Sequence, residues 1–515
     1  MPRKEPSERP ATATEVLIEL EDLGLTSGSR TSARVLTPSA TKEYALPALA
    51  LSISVLPFVS LSGDPRDDAL AEGMSEEIMA TLGRQTLLRV TARTSAWRYK
   101  GQSADAREIA RALHVANVLR GSIEREGDHL RVTALLLDGA DAHVRWSTQY
   151  SRPMREVFAI LDEIASAVAD ALSVMLLGEN PRRPASLEAY EYYLRGRYLW
   201  NTQQTDEGLR LAMESFGQAL QRDPTYAFAH AGIADTFLMM VAHSDIPRGE
   251  GYALAGKAAV EAIRLDPSNA EAHAFLGVVK QSDEWDFAGA EHSLRRSISL
   301  NPSYVPATQW LSLLLATVGR GDEAVATAED VVALDPASSV SLGHAALVQY
   351  LARHHDRALK LLDRAERLEP TSPRLRRYRG QVYMATGKIE DAIDAFRAGF
   401  ADDAGGRISH AFFGMACALT GRTTEARAVL ADIEASATSG NADLRAIVLA
   451  GLGEKTRALD ALEDATARRS LWPAMITADP VFDSLRTEPR FRMLLERILR
   501  RRGETDGPGP VAPVA

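Results

Sequence analysis

The chain has 515 residues, 45% hydrophobic and 25% charged, with a formal net charge of -10 and one cysteine, Cys417. That length exceeds what a single core organises, so at least two domains are expected, and neither disorder nor membrane character dominates the composition. The acidic balance argues against a general nucleic-acid-binding surface, and a lone cysteine excludes an internal disulfide framework and a multi-cysteine zinc site.

In chain order, the first residues, MPRKEPSERPATATEV, carry charge and proline without an apolar run, so they do not read as a secretory signal and the chain is expected in the cytoplasm. Residues 1–23 form a small unit in which Thr12 and Glu15 make a capping-box pair ahead of Val16, Leu17, Leu20 and Leu23, and Gly24 ends the helix. The string Pro6-Ser7-Glu8-Arg9-Pro10-Ala11-Thr12-Ala13, followed by Glu15-Val16-Leu17 and Leu20-Glu21, resembles the last helix of bacterial serine/threonine protein kinases. In that family the arginine of the Arg-Pro pair, here Arg9, anchors a glutamate of the activation segment. Nothing here supplies the glycine-rich loop, strand lysine or catalytic and metal-binding aspartates of phosphoryl transfer. A chance amphipathic helix with a good cap is the other reading of these residues.

Residues 24–44 (GLTSGSRTSARVLTPSATKEY) are rich in Ser, Thr and Gly without periodicity and read as a flexible linker. The stretch 46–61 is too short, and too interrupted by Pro47 and Pro57, to span a membrane. Its alternation of Leu49, Leu51, Ile53 and Val55 with small residues predicts a half-buried strand instead.

Residues 50–178 alternate between strand and helix periods. A strand is predicted at 52–58, a helix at 74–82, a short apolar run at 87–90 and a helix at 104–113. A three-stranded meander follows at 118–124, 130–137 and 143–150, turning at Glu126-Gly127-Asp128 and after Asp138-Gly139, and a long helix at 157–176 closes the unit. This order predicts an α+β domain with a mixed sheet and helices on one face. The segments Val55-Leu56-Pro57-Phe58, Ala71-Glu72-Gly73-Met74-Ser75-Glu76-Glu77-Ile78, Arg93-Thr94-Ser95, Tyr99-Lys100-Gly101, Arg107-Glu108-Ile109 and Val118-Leu119-Arg120-Gly121-Ser122 resemble the TolB N-terminal-like domain. In bacterial signalling proteins that domain stands between an N-terminal module, such as a class III adenylate cyclase, a serine/threonine kinase or a winged-helix regulator, and C-terminal tetratricopeptide repeats. The resemblance therefore implies an upstream partner module, and the absence of a membrane helix departs from the usual arrangement.

Five prolines, Pro224, Pro267, Pro302, Pro336 and Pro370, close successive similar stretches at spacings of 43, 35, 34 and 34 residues. Ala212, Phe216, Ala219 and Pro224 stand at offsets 0, 4, 7 and 12, which Ala358, Leu362, Ala365 and Pro370 repeat, and Ala324, Ala328 and Pro336 match in part. Small residues where two helices cross, a large apolar residue one turn on and a terminating proline resemble the tetratricopeptide repeat. The resemblance implies an all-α superhelical solenoid over 188–498 of about eight hairpins, the last degenerate (Gly453, Ala458, Leu462) and followed by a capping helix. Residues 499–515 are expected to be a disordered tail. The extra residues of the second hairpin, near 242–251, are expected to lengthen its turn.

In such an array the first helix of each hairpin lines a concave surface, the default binding site. In the sixth repeat Arg374, Arg377 and Gln381 fall at groove-facing offsets, with Arg376 and Arg379 nearby. Arginine forks suit carboxylates, so an acidic or C-terminal peptide is the implied ligand class. A solvated helix start is the other reading of SPRLRRYRG. His354, His355 and Asp356 do not share a helix face, and Asp138 and Asp141 serve adequately as a plain connection. Gly451 and Gly453 follow no strand. No catalytic, metal or cofactor site is expected. The reading is a non-catalytic interaction scaffold in bacterial signal transduction that binds protein or peptide partners. The alternative is the regulatory portion of a serine/threonine kinase, or less readily of an adenylate cyclase or transcriptional regulator, whose catalytic part lies elsewhere.

Overall fold

The computed structural model describes residues 51–499 apart from 103, 175–182, 244–245, 401–402, 436–440 and 470–472. The kinase-like helix at 1–23, the linker at 24–44 and all but the first residue of the tail at 499–515 lie outside the described residues.

Ile53 and Val55 alternate with Ser52 and Ser54 to make β1 (Ser52–Val55). It runs parallel to β3 (Arg89–Val90) on one side and β4 (Asn117–Glu126) on the other, Ile53 standing beside both Val90 and Asn117. The strand predicted at 52–58 is broken at Pro57, which has no N–H to give. Beyond it β2 (Val59–Ser60) resumes alongside β4. β5 (His129–Asp138) and β6 (Val144–Pro153) complete the meander antiparallel, with Gly127 at φ +64° in the first turn. The six-stranded mixed sheet has the order β3-β1-β4-β5-β6, with β2 also on β4.

Helix α1 (Pro65–Gly83) begins well before the 74–82 read from apolar spacing. Asp64 caps it by accepting from the Arg66 N–H at 2.9 Å, and Pro65 fills the first position, whose N–H would be an orphan. Leu70, Met74, Ile78 and Leu82 bury against Ile53, Val55, Leu119 and Ile123, together with Val157, Ile160, Ile164 and Val168 of α4 (Val157–Ala171). Helix α2 (Arg93–Trp97) is a single turn and α3 (Ala106–Leu113) follows. The helices are not confined to one face. β4 carries Val118 and Leu119 on opposite sides, and Val118 with Leu56 receives Ile109, Ala110 and Leu113 of α3. Apolar residues of both parities on one strand require cover on both faces.

Among the described residues sixteen helices then pair as eight hairpins. They are α5 (Leu187–Thr202) with α6 (Asp206–Arg222), α7 (Ala227–His243) with α8 (Arg248–Leu265), and α9 (Ala270–Val279) with α10 (Phe287–Leu300). Next come α11 (Val305–Thr317) with α12 (Gly321–Leu334), α13 (Ser339–Leu351) with α14 (His355–Leu368), and α15 (Pro373–Ala385) with α16 (Ile389–Ala398). The last two are α17 (Asp403–Leu419) with α18 (Thr423–Ala435) and α19 (Ala442–Gly451) with α20 (Lys455–Ala467). After these come α21 (Pro473–Thr477), a 3-10 turn at Pro480–Leu485, and α22 (Pro489–Leu499).

The proline ladder has a local cause. A residue before proline is driven out of the α region, and Asp223, Asp266, Asn301, Asp335 and Glu369 sit at φ between -136° and -145°, ending α6, α8, α10, α12 and α14. The first three also accept the N–H two residues on, from Thr225, Ser268 and Ser303 at 2.9 to 3.0 Å, turning the chain into the next hairpin. Ala212, Phe216, Ala219, Ala324, Ala328, Ala358, Leu362 and Ala365 are all fully buried. Close approach explains the glycines of the first helices: a Cβ on Gly380 would lie 2.5 Å from the Phe396 ring. The extra residues of the second hairpin go into helix rather than turn, since α7 and α8 have 17 and 18 residues against 13 and 14 for α11 and α12.

The sheet domain sits against the array. Arg89 donates to the Ala333 carbonyl at 3.0 Å, and Thr94 and Ser95 donate to the Asp335 carboxylate at 2.5 Å each. Gly73 of α1 packs on Leu194 of α5.

Candidate functional site

The first helices of the hairpins (α5, α7, α9, α11, α13, α15, α17, α19) pack on one another from hairpin to hairpin, so they line the shared inner face of the array. At the N-terminal end of the array α1 packs on α5. Arg197 of α5 stands 3.5 Å from Glu76, 3.6 Å from Glu271 of α9 and 3.9 Å from Asp235 of α7. Glu76 also accepts from Arg93 at 2.6 Å and from Asn201 at 3.1 Å. Burial works to raise the Glu76 carboxyl, but Arg93 and Arg197 together hold it below its ordinary value. Burial pushes Asp235 up to about 7, with Arg197 opposing the shift and Glu271 adding to it. Next to this cluster Glu72 is saturated by Lys100 at 2.6 Å, Trp97 Nε1 at 2.7 Å and Arg93 at 3.2 Å.

Asp235 makes a testable contribution to stability. Its folded-state pKa lies above the ordinary value of 3.8, so its stabilising share is complete below about 4 and is lost as pH rises through about 7. Asp235→Asn should remove that slope. Denaturation of the two proteins should nearly coincide near pH 3 and diverge by about 1 to 4 kcal/mol in the variant's favour at pH 8. Parallel curves would contradict the assignment.

In the C-terminal half the structure places the three sequence-predicted residues on α15. Arg374 and Arg377 meet no carboxylate among the described residues; Arg377 lies over the Tyr378 ring at 5.3 Å. Burial, and secondarily Arg374, bring His344 of α13 down to about 4, so it is neutral and hydrogen-bonded with Ser312 at 2.9 Å. Arg376 and Arg379 are otherwise engaged. Arg376 donates to the Pro370 carbonyl at 3.0 Å, and Arg379 to Asp363 at 2.7 Å and Glu366 at 2.9 Å on α14.

Gln381, the third predicted residue, is only 5% exposed because it already has an occupant. Its Nε2 lies 3.4 Å from the Asp479 carboxylate, which accepts the Tyr350 hydroxyl at 2.6 Å and the Val481 N–H at 2.9 Å. Asp479 is 3% exposed, and burial raises it to about 6. Four residues on, Asp483 accepts from Arg353 at 2.8 Å and Arg486 at 2.7 Å. Tyr350, Arg353, Asp479, Arg197 and Asp235 were invisible to pattern reading. A charged residue on a repeat helix reads as solvated, and Asp479-Pro480 reads as a turn. The one signal available was that DPVFDSL keeps an acid and apolar rhythm after the repeat consensus lapses.

The described residues also enclose two cavities. One of about 650 Å3 opens between α1 and α5, lined by Leu70, Arg125, Tyr192, Leu194, Arg195 and Tyr198. The other, of about 470 Å3, is lined by Arg353, His354, His355, Asp356, Arg357 and Thr386. No group of three or more His, Cys, Asp or Glu is gathered for a metal among the described residues. Nor is any described helix long and apolar enough to cross a membrane.

Comparison with known proteins agrees with the hairpin geometry. The tetratricopeptide repeat profile matches residues 345–406, from within α13 into α17. The chain carries tetratricopeptide repeats, a fold that serves protein–protein interaction. A Rhizobium meliloti protein that bears an adenylate cyclase name is 35% identical over 191 residues, 36% of this chain. The chain thus spans about a third, 32%, of that relative's length. Among solved structures it is similar to YrrB, described as a TPR protein with an unusual peptide-binding site, at 23% identity over 36% of this chain and 89% of that one, with a TM-score of 0.26. It is also similar to the human IFIT1 dimer with PPP-AAAA, at 15% identity over 61% of this chain and 78% of that one, with a TM-score of 0.40.

Proposed function

We propose that this protein is a non-catalytic scaffold in bacterial signal transduction that captures acidic protein or peptide partners on the inner face of α13 and α15. The observation that carries this reading is the pair Arg374 and Arg377, free of carboxylates among the described residues, beside a position where Gln381 and Tyr350 already hold a carboxylate. Two guanidinium groups at one helix start with no carboxylate partner among the described residues favour an anion that bridges them, and their planar forks match a carboxylate better than lysine would.

The double variant Arg374→Glu/Arg377→Glu tests this. Capture of an acidic partner by the full chain should weaken about tenfold or more, because like charges then face each other, while far-ultraviolet circular dichroism stays unchanged. Capture that is equal in both proteins would retire the groove.

A second reading rests on the cyclase-named relative, two thirds of which lies beyond the match. Here the sheet domain, TolB-like in its motifs, and the array form the regulatory portion of a larger signalling enzyme, either a cyclase or the kinase suggested by residues 6–21. Under either reading the purified chain should form no cyclic AMP and transfer no phosphate from ATP. Turnover of either kind would overturn the non-enzyme assignment.

A further inference from the structure

The residues after the last hairpin do more than cover its end. Helix α22 packs on α20 and so closes the array, which is what a terminal cap requires. The preceding segment instead runs back along the inner face. Arg469 donates to the Asp283 carbonyl and lies over the Trp285 ring at 5.7 Å, beside α9. Helix α21 packs on α11, Asp479 bonds Tyr350 of α13 and Gln381 of α15, and the 3-10 turn packs on α19. Every one of these is a groove-lining helix or lies at the end of one. Ile476, Val481, Phe482 and Leu485 are buried there, so the segment presents the groove with acid and apolar groups together. Asp479 caps the 3-10 turn by accepting the Val481 N–H, yet its other two hydrogen bonds go across to Tyr350 and Gln381 on the groove helices.

We propose that residues 476–486 are a resident competitor for the groove, and that the partner is an acidic peptide of the same chemistry. That chemistry is a carboxylate held by Tyr350 and Gln381, an apolar ring three residues later, and a second carboxylate at the next position for Arg353. The proposal rests on the groove reading above and names its ligand and its regulation. Partner binding displaces Asp479-Pro480-Val481-Phe482-Asp483 from the inner face. While the segment is docked the groove is competent in only a fraction of molecules, and the apparent affinity falls by that fraction.

The test uses a fluorescein-labelled peptide of residues 476–486, ITADPVFDSLR, titrated into the full chain by fluorescence anisotropy. Asp479→Lys in the chain sets a cation beside Arg353, expels the resident segment and leaves Tyr350 and Gln381 intact. The labelled peptide should bind this variant about tenfold or more tighter than wild type. A peptide carrying its own Asp479→Lys change should lose that gain. If Asp479→Lys fails to match the wild-type circular dichroism, Asp479→Ala, which removes the hydrogen bonds to Tyr350, Gln381 and the Val481 N–H without adding charge, takes its place with the same expectation. Equal peptide affinity for wild type and variant, or no binding to either, overturns the competitor while arginine-dependent partner capture can still stand. Tight peptide binding to the variant with partner capture indifferent to Arg374 and Arg377 retires the arginine reading and keeps the competitor.

Discussion

Arg197→Met is expected to cost about 3 to 5 kcal/mol, because it leaves a buried group of carboxylates without their shared cation. Glu76, Asp235 and Glu271 lie 3.5 to 3.9 Å from the guanidinium, and its side chain is 15% exposed. Methionine keeps much of the volume, so the loss reports charge rather than a cavity. The effect should depend on pH in a fixed direction. Without Arg197, Asp235 loses the group that opposes its protonation, so the cost is largest at pH 8 and shrinks as pH falls through 7, where Asp235 takes up its proton. Denaturant midpoints at pH 8 and pH 6 measure both features. A destabilisation under 1 kcal/mol at pH 8, or one that grows on acidification, would remove Arg197 from the joint between α1 and the array.

Phe396→Ala should cost a similar amount, about 3 to 5 kcal/mol, for an apolar reason. The ring is fully buried, stacks on Phe412 at 5.6 Å and fills the space that Gly380 leaves, so truncation opens a cavity that the neighbouring backbone cannot close. Because each hairpin touches mainly its neighbours, the damage should be local. Amide exchange should accelerate in α15, α16 and α17 while β4 and β5 keep their protection. Uniform acceleration across the chain would mean that the array and the sheet domain unfold as one unit.

How far the sequence discloses this molecule depends on how local the cause is. Pro224, Pro267, Pro302, Pro336 and Pro370 act on the residue before them, so the ends of five helices could be read directly. The alternation in 130–137 likewise announces β5, whose Leu130, Val132, Ala134 and Leu136 are fully buried. Pro57 was just as local a signal, and it breaks the first strand; so was Gly63-Asp64-Pro65, which starts α1 well before its apolar spacing does. What could not be read is non-local. Arg197 is an ordinary charged helix residue until α1 brings Glu76 to it, 121 positions upstream by subtraction of the two residue numbers. Gln381 was placed at the groove by its offset within one repeat. Its occupant, Asp479, comes from beyond the last hairpin.

The measurement that bears most directly on the inner face as the binding surface is amide hydrogen exchange of the full chain, alone and with a saturating acidic partner. New protection should gather on α13 and α15, over Ser339–Leu351 and Pro373–Ala385, while residues 476–486 exchange faster as they leave the groove. Protection confined to the second helices of the hairpins or to the edge strand β6, with residues 476–486 unchanged, would contradict the account.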